Sequence, residues 1–182
     1  MNRCCWVNLN NPLYVDYHDN DWGIPKYNDR VLFELLILES FQAGLSWECV
    51  LNKRNNFKHA FDHFDIEKIR HYDDKKCQEL AHNCGIIRHI GKIKSVPRNA
   101  TIFRQIQDEF GSFSNYIWHF TNKKVIYEPY HKHTSTPLSD TISKDLKKRG
   151  MKFLGSTTIY SYLQAIGVIC GHGKECALSL DK

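Results

Sequence analysis

The run "RVLFELLILESFQA", residues 30–43, is apolar around almost its whole circumference when wound at helical period, and this constrains the fold more than any other feature of the chain. A helix of that kind has to be enclosed by other elements. At about 100° per residue, Leu32, Leu35, Leu36, Glu39 and Ala43 share one side and Glu34 falls on the opposite side. Glu39 is therefore central to the apolar stripe. A lone buried carboxylate costs several kcal/mol unless it is paired, hydrogen-bonded or protonated. Periodicity alone leaves two readings level: a structural acid met by a neighbouring helix N-terminus or a Lys or Arg, and an acid lining a cavity.

Around this helix the pattern is mostly α, with no long run of strict alternation. An N-cap-like start at Asp29 opens the central helix. "SWECVLNKRNNFKHAFDHF" reads as a second helix opened by Ser46, making an αα-hairpin about Gly44. Short amphipathic helices are expected at "DIEKIRHY", capped by Asp65, and at "DDKKCQELAHN", ending before Gly85. A long stretch from about Arg88 to Phe110 carries Pro97, which should kink it or end its first half. Ser112 opens "SFSNYIWHF"; residues 121–138 read as a surface loop; "SDTISKDLKKRG" and "STTIYSYLQAIGVI" close the set. At 182 residues a single domain, 1–182, is expected, with terminal segments at about 1–24 and 168–182.

No apolar stretch approaches the roughly 18 residues of a membrane span, and the N-terminus lacks the apolar core of a secretory signal, so an intracellular protein without a membrane partner is expected. Seven cysteines, at 4, 5, 49, 77, 84, 170 and 176, are odd in number and irregular in spacing, which argues for thiols or metal ligands over a disulfide framework. His172 and Cys176 make half a metal site at the C-terminus, and Cys4, Cys5 and His18 offer the other half. Two ligands from each end would form a closed, structural zinc site fastening the termini. Cys5 and Cys170 stand as substitutes within that set, and unpaired thiols with a surface His are the plainer reading.

Net charge is +5 with a pI of about 8.8, which favours polyanions without demanding them. Trp6, Tyr14, Tyr17 and Trp22 crowd the first 22 residues in a segment without clear helical pattern, and Trp47 follows the central helix by one loop. Core packing is the usual fate of such rings; with Glu39 nearby they also fit a lid over a pocket. Near the C-terminus, Gly155 followed by Ser156, Thr157 and Thr158, with Lys147, Lys148, Arg149 and Lys152 just before, outlines a helix start able to take a phosphate.

Four stretches in order, "RCCWV" with "PLYVDYHDNDWG", "LESFQAGLSW", "CGIIRHIGKI" and "LKKRGMKFLGSTTIYSYLQAIG", resemble the bacterial 3-methyladenine DNA glycosylase I family of the helix-hairpin-helix DNA glycosylase superfamily, over nearly the whole chain. The resemblance implies a helix-hairpin-helix DNA glycosylase-like helical bundle whose termini meet at one structural zinc ion, held by Cys4, His18, His172 and Cys176. It implies Glu39 and Tyr17 as the residues recognising and excising the damaged base, Trp47 as the stacking ring, and Trp6, Tyr14 and Trp22 in or near the pocket wall. It implies Gly44 and Leu45 as the turn facing the vacated DNA stack, and Lys152 to Thr158 as the backbone-gripping loop. The expected activity is monofunctional hydrolysis of the N-glycosidic bond of 3-methyladenine in double-stranded alkylated DNA, releasing the free base, by a monomer acting in the bacterial cytoplasm. The chain departs from the family pattern at Cys5, Phe41 and Pro97, and Phe41 is expected to alter the DNA-facing surface. Two rival classes are a zinc-fastened protein that binds damaged DNA without cleaving it and a zinc hydrolase of small substrates.

Overall fold

Residues 1–128 and 133–179 are described by the computed structural model. Because the run at residues 30–43 is apolar around almost its whole circumference, several other elements pack about it. In chain order they are α1 (Pro12–Asn20), α2 (Asp29–Gln42), α3 (Trp47–Leu51), α4 (Arg54–Ala60), α5 (Ile66–Ile69), α6 (Asp74–Ala81), α7 (Ile90–Phe110), α8 (Phe113–His119), β1 (Ile126–Tyr127), α9 (Pro137–Arg149), α10 (Ser156–Ala165) and β2 (Ile169–Cys170). Helix α2 packs against α3, α7, α8 and α10, and every residue from Leu32 to Phe41 is buried. None of these helices is long and apolar enough to cross a membrane.

Several expectations are corrected. The cap of α2 is Asn28, whose side chain accepts from the amides of Arg30 and Val31; Asp29 instead accepts from the amides of Phe113 and Ser114 and fastens the start of α8. The second helix of the hairpin is broken into α3, α4 and a 3₁₀ turn at Asp62–Phe64, where three successive residues adopt positive φ. Pro97 does not divide α7, which runs unbroken through 21 residues. The Ile93 carbonyl forgoes one bond there, while the Ser95 and Thr101 hydroxyls donate to the carbonyls of Lys92 and Pro97 on either side. The segment 121–138 is not all loop: β1 pairs in parallel with β2, Ile126 opposite Ile169, and Thr136 caps α9 through a reciprocal pair with Ser139. Part of that expected loop, 129–132, lies outside the described residues.

Of the N-terminal aromatics, Tyr14 and Tyr17 sit on a helix, α1, started by the Asn11 cap and Pro12, while Trp6 and Trp22 flank it. Its inner face carries Tyr14, Tyr17 and His18, which meet a pocket and a ligand cluster, so its apolar periodicity is poor in sequence. Phe41 is fully buried among Phe57 and Phe61 and does not reach the surface, contrary to expectation.

Candidate active site and metal cluster

Four helices, α1, α2, α3 and α10, converge on one cavity of about 110 Å³. Helix α2 supplies Glu39 and, one turn on, Gln42; α1 supplies Tyr14 and Tyr17; Trp6, Trp22 and Trp47 close the sides. Ser161 and Gln164 of α10 complete the lining. The rings interlock: Trp6 lies 5.3 Å from Tyr14 and 4.9 Å from Trp22, and Tyr17 lies 5.2 Å from Trp47, centroid to centroid. The lining is mostly flat aromatic faces, a shape that suits a planar ring.

Glu39 is 3% exposed, and its Oε2 has no hydrogen-bond partner. Burial pushes its carboxyl up to about 8. The Trp47 indole nitrogen is likewise buried without a hydrogen-bond partner. Tyr17 is buried, and burial, reinforced by Glu39, holds its phenol well above the usual range, so it remains a donor. The pocket thus combines aromatic faces with one acid that no group among the described residues neutralises. Such a site favours a flat cation that can satisfy the carboxylate and stack at once.

Glu34, expected on the outer side of the helix, is also buried. It is neutralised: Arg54 Nε lies 2.5 Å and Lys58 Nζ 3.4 Å from its Oε1, and Arg54 also pairs with Asp21 at 2.5 Å. Arg54 therefore joins α4 to α2 and to the end of α1.

Behind the pocket wall, Cys4, His18, His172 and Cys176 place their ligand atoms within 4.8 Å of one another, all buried. Cys4 Sγ lies 3.6 Å from His172 Nδ1, and Cys176 Sγ lies 3.5 Å from both His18 Nε2 and His172 Nδ1. His18 Nδ1 contacts Asp19 at 2.8 Å, and Asp19 is itself held by Arg3 at 2.6 Å. That carboxylate fixes which imidazole nitrogen faces the cluster. Burial drives His172 down to about 4, keeping it neutral as a ligand requires. The group could hold a metal ion; Cys5 and Cys170 lie outside it. Trp22 packs 4.7 Å from the His172 ring and Trp6 5.3 Å from the His18 ring, so the cluster buttresses the pocket.

Of the expected DNA-facing residues, Gly44 has a φ of +87° and Leu45 is exposed at the tip of the turn after α2. Lys152 and Thr157 are exposed at the α9–α10 connection, with Gly155 and Thr158 half-buried. The Ser156 hydroxyl is committed to Asp140 and to Ser139. Arg149 is not available there: it pairs with Glu109 and Asp145. Sequence reasoning missed Gln42, Ser161 and Gln164. Gln42 was within reach, since it follows Glu39 by one helical turn; Ser161 and Gln164 lie on a helix to which the sequence assigns no pocket residue.

Comparison with known proteins agrees with this geometry. A family model described as methyladenine glycosylase matches residues 6–179. DNA-3-methyladenine glycosylase 1 of Escherichia coli K12 is 41% identical over 97% of this chain and 96% of its own length. The DNA-3-methyladenine glycosylase of Haemophilus influenzae Rd is 38% identical over 96% of each. The structure of the 3-methyladenine DNA glycosylase I of Staphylococcus aureus, solved to explain 3-methyladenine recognition, superposes with a TM-score of 0.92 at 35% identity, covering 97% of this chain and 96% of that one. By the span of the family model and by both curated relatives, the chain belongs to the methyladenine glycosylase family.

Proposed function

We propose that this protein excises 3-methyladenine from alkylated double-stranded DNA by hydrolysing the N-glycosidic bond, the first step of base-excision repair. The observation that carries the reading is Glu39: a buried, unneutralised carboxyl between aromatic faces. Methylation at N3 turns adenine into a flat cation, and extrusion from the duplex is required for it to reach such a pocket. Trp47 supplies a stacking face, Glu39 accepts from the exocyclic amine, and Tyr17 donates from the α1 side. Unmethylated adenine lacks the charge and gains less from each contact.

Because the methylated base leaves as a neutral species, little acid catalysis is needed. The C1′–N bond breaks with its electron pair going to the base, water adds at C1′, and the water's proton passes to Glu39 or solvent. A carboxylate that stabilised only the bound cation would slow its departure, so Glu39 accelerates the step only in so far as it favours the sugar cation more. The enzyme is proposed to be monofunctional, without strand-cutting lyase activity. A borohydride-trapped covalent DNA adduct would overturn that.

The cluster at the termini fits one structural zinc ion. A tetrahedral zinc at about 2.3 Å from sulfur and 2.0–2.1 Å from nitrogen sets S···N edges of about 3.6 Å, matching the 3.5–3.6 Å spacings. Four protein ligands leave no open position for water, which favours a structural ion over the zinc-hydrolase alternative. Four-ligand spectra after cobalt substitution would support this. The α9–α10 connection fits a helix-hairpin-helix grip on the DNA backbone, and Gly44 with Leu45 fits a turn entering the vacated stack. The protein is taken to act as a monomer, on DNA in the bacterial cytoplasm.

Product analysis after incubation with methylated duplex DNA is the decisive experiment. Free 3-methyladenine without 7-methylguanine is expected. Binding of alkylated duplex with no base release would favour the non-catalytic damage-binding alternative.

A further inference from the structure

The two loops assigned to DNA are far apart in sequence, yet both are held by one helix. Lys92, in the first turn of α7, is buried and donates its ammonium to the carbonyls of Phe41 and Ala43, each at 3.0 Å. Those carbonyls end α2 immediately before Gly44 and Leu45. Among the described residues Lys92 forms no ion pair, and both hydrogen bonds from its ammonium go to backbone oxygens at that turn. Two turns along α7, Asn99 is fully buried and brackets the backbone of Lys152: its Nδ2 donates to the Lys152 carbonyl at 3.1 Å, and its Oδ1 accepts from the Lys152 amide at 2.9 Å.

Seven residues of α-helix return to nearly the same face after about 10.5 Å. Lys92 and Asn99 therefore stand on one stripe of a continuous helix, one fastening each loop. Pro97 lies between them without breaking it. A helix that merely filled the core would need neither a buried ammonium nor a buried amide at these points.

We propose that α7 is a ruler that sets the spacing of the two DNA-contacting loops, with Lys92 and Asn99 as its positioning residues. The proposal rests on the assignment of those loops to DNA. It separates two properties that share one protein: DNA engagement, which needs both loops in register, and capture of the base, which needs only the pocket.

The test uses the full chain and two variants, Lys92→Met and Asn99→Leu. Each is measured for binding to a duplex carrying a tetrahydrofuran abasic analogue, for quenching of tryptophan fluorescence by free 3-methyladenine, and for kcat/KM on methylated duplex. Duplex affinity and kcat/KM should each fall by about tenfold or more, as expected for misplacement of groups remote from the chemistry, while free-base affinity stays within about twofold. Parallel loss of duplex and free-base binding would mean a merely structural role, and no loss at all would equally overturn the ruler. If Lys92→Met fails to fold, Asn99→Leu alone must show the same split or the proposal is lost. Duplex binding is read without chemistry, so a wild-type protein that grips DNA yet releases no 3-methyladenine defeats the proposed activity and leaves the ruler standing.

Discussion

Glu34 and Glu39 lie little more than one turn apart on α2, both buried, and their surroundings are opposite. Glu34 faces two cations, Arg54 and Lys58, and its charge is absorbed into a network that also includes Asp21. Glu39 faces indole and phenol rings, and its Oε2 meets no donor. The first acid holds helices together; the second is the one we propose meets the extruded base. Burial alone does not separate a structural charge from a functional one, and partnership does.

The sharpest way to break this contrast is to remove the partner that makes Glu34 structural. Arg54→Met leaves buried Glu34 with Lys58 alone and half-buried Asp21 with Lys26 alone; full loss of one member of a buried ion pair costs about 3–5 kcal/mol, and the two remaining cations hold the expected loss to the low end of that range or below it. Urea unfolding should show that loss. An Arg54→Met protein as stable as wild type would mean that the network is no more structural than Glu39.

Glu39→Gln should do the reverse, losing function while gaining stability. Removing the pocket's one carboxyl group is expected to lower kcat on methylated DNA about a hundredfold, the scale seen for single preorganised electrostatic contacts. The stability effect has a definite sign. With an ordinary value of 4.5 raised to about 8 in the folded protein, the carboxyl contributes nothing below pH 4.5, where both states are protonated. Between 4.5 and 8 the unfolded chain has released a proton that the folded protein keeps, so stability falls as pH rises, by several kcal/mol in total, and above 8 the penalty is constant. Glu39→Gln should therefore match wild type at pH 4 and exceed it at pH 8. Identical pH–stability curves would show that Glu39 has a partner after all.

This asymmetry explains what the sequence disclosed. Glu39 was legible because a charge on an apolar stripe is a local anomaly, and Ser46, Asp65 and Ser112 were legible as caps because a cap acts within one turn. The four cluster ligands, 168 or 158 residues apart across the chain, were out of reach of spacing, which left Cys5 and Cys170 in contention; the resemblance selected the set that the fold brings together. Partnership is what stayed hidden. Arg54 meets residues 20 and 33 positions away, so Glu34 looked like an outer-face acid. Arg149, read as part of a basic cluster near DNA, is drawn off by Glu109 from 40 residues back. Pro97 was overweighted because a missing amide is visible in sequence and the packing that tolerates it is not. Helix α1 was missed because its inner face is turned toward a pocket and a ligand cluster, which do not produce ordinary apolar periodicity.

A smaller effect sharpens the contrast from the ligand's side. At pH 6–7 Glu39 is protonated in the empty pocket, since burial holds it up to about 8. A permanently cationic ligand, adenine methylated at both N3 and N9, should bind the ionised form and so expel about one proton, with affinity rising about tenfold per pH unit up to about pH 8. Calorimetry in two buffers of different ionisation enthalpy counts that proton. Zero release by wild type would remove the cation-for-proton exchange from the mechanism, and Glu39→Gln should release none.

The smallest expected effect concerns Tyr17, which shares the pocket with Glu39. Tyr17→Phe keeps the ring against Trp47 and removes only the hydroxyl, so the loss in kcat/KM should be about 1 kcal/mol, the worth of one ordinary hydrogen bond. Its value lies in what should not change. Burial is the one cause that raises Glu39, with no hydrogen bond from Tyr17 contributing, so the carboxyl should still titrate near 8 in the variant when followed by carbon-13 NMR. A marked rise would mean that Tyr17 had been stabilising the carboxylate. Glu39 would then join Glu34 as an acid with a partner inside the protein, differing only in the strength of that partner.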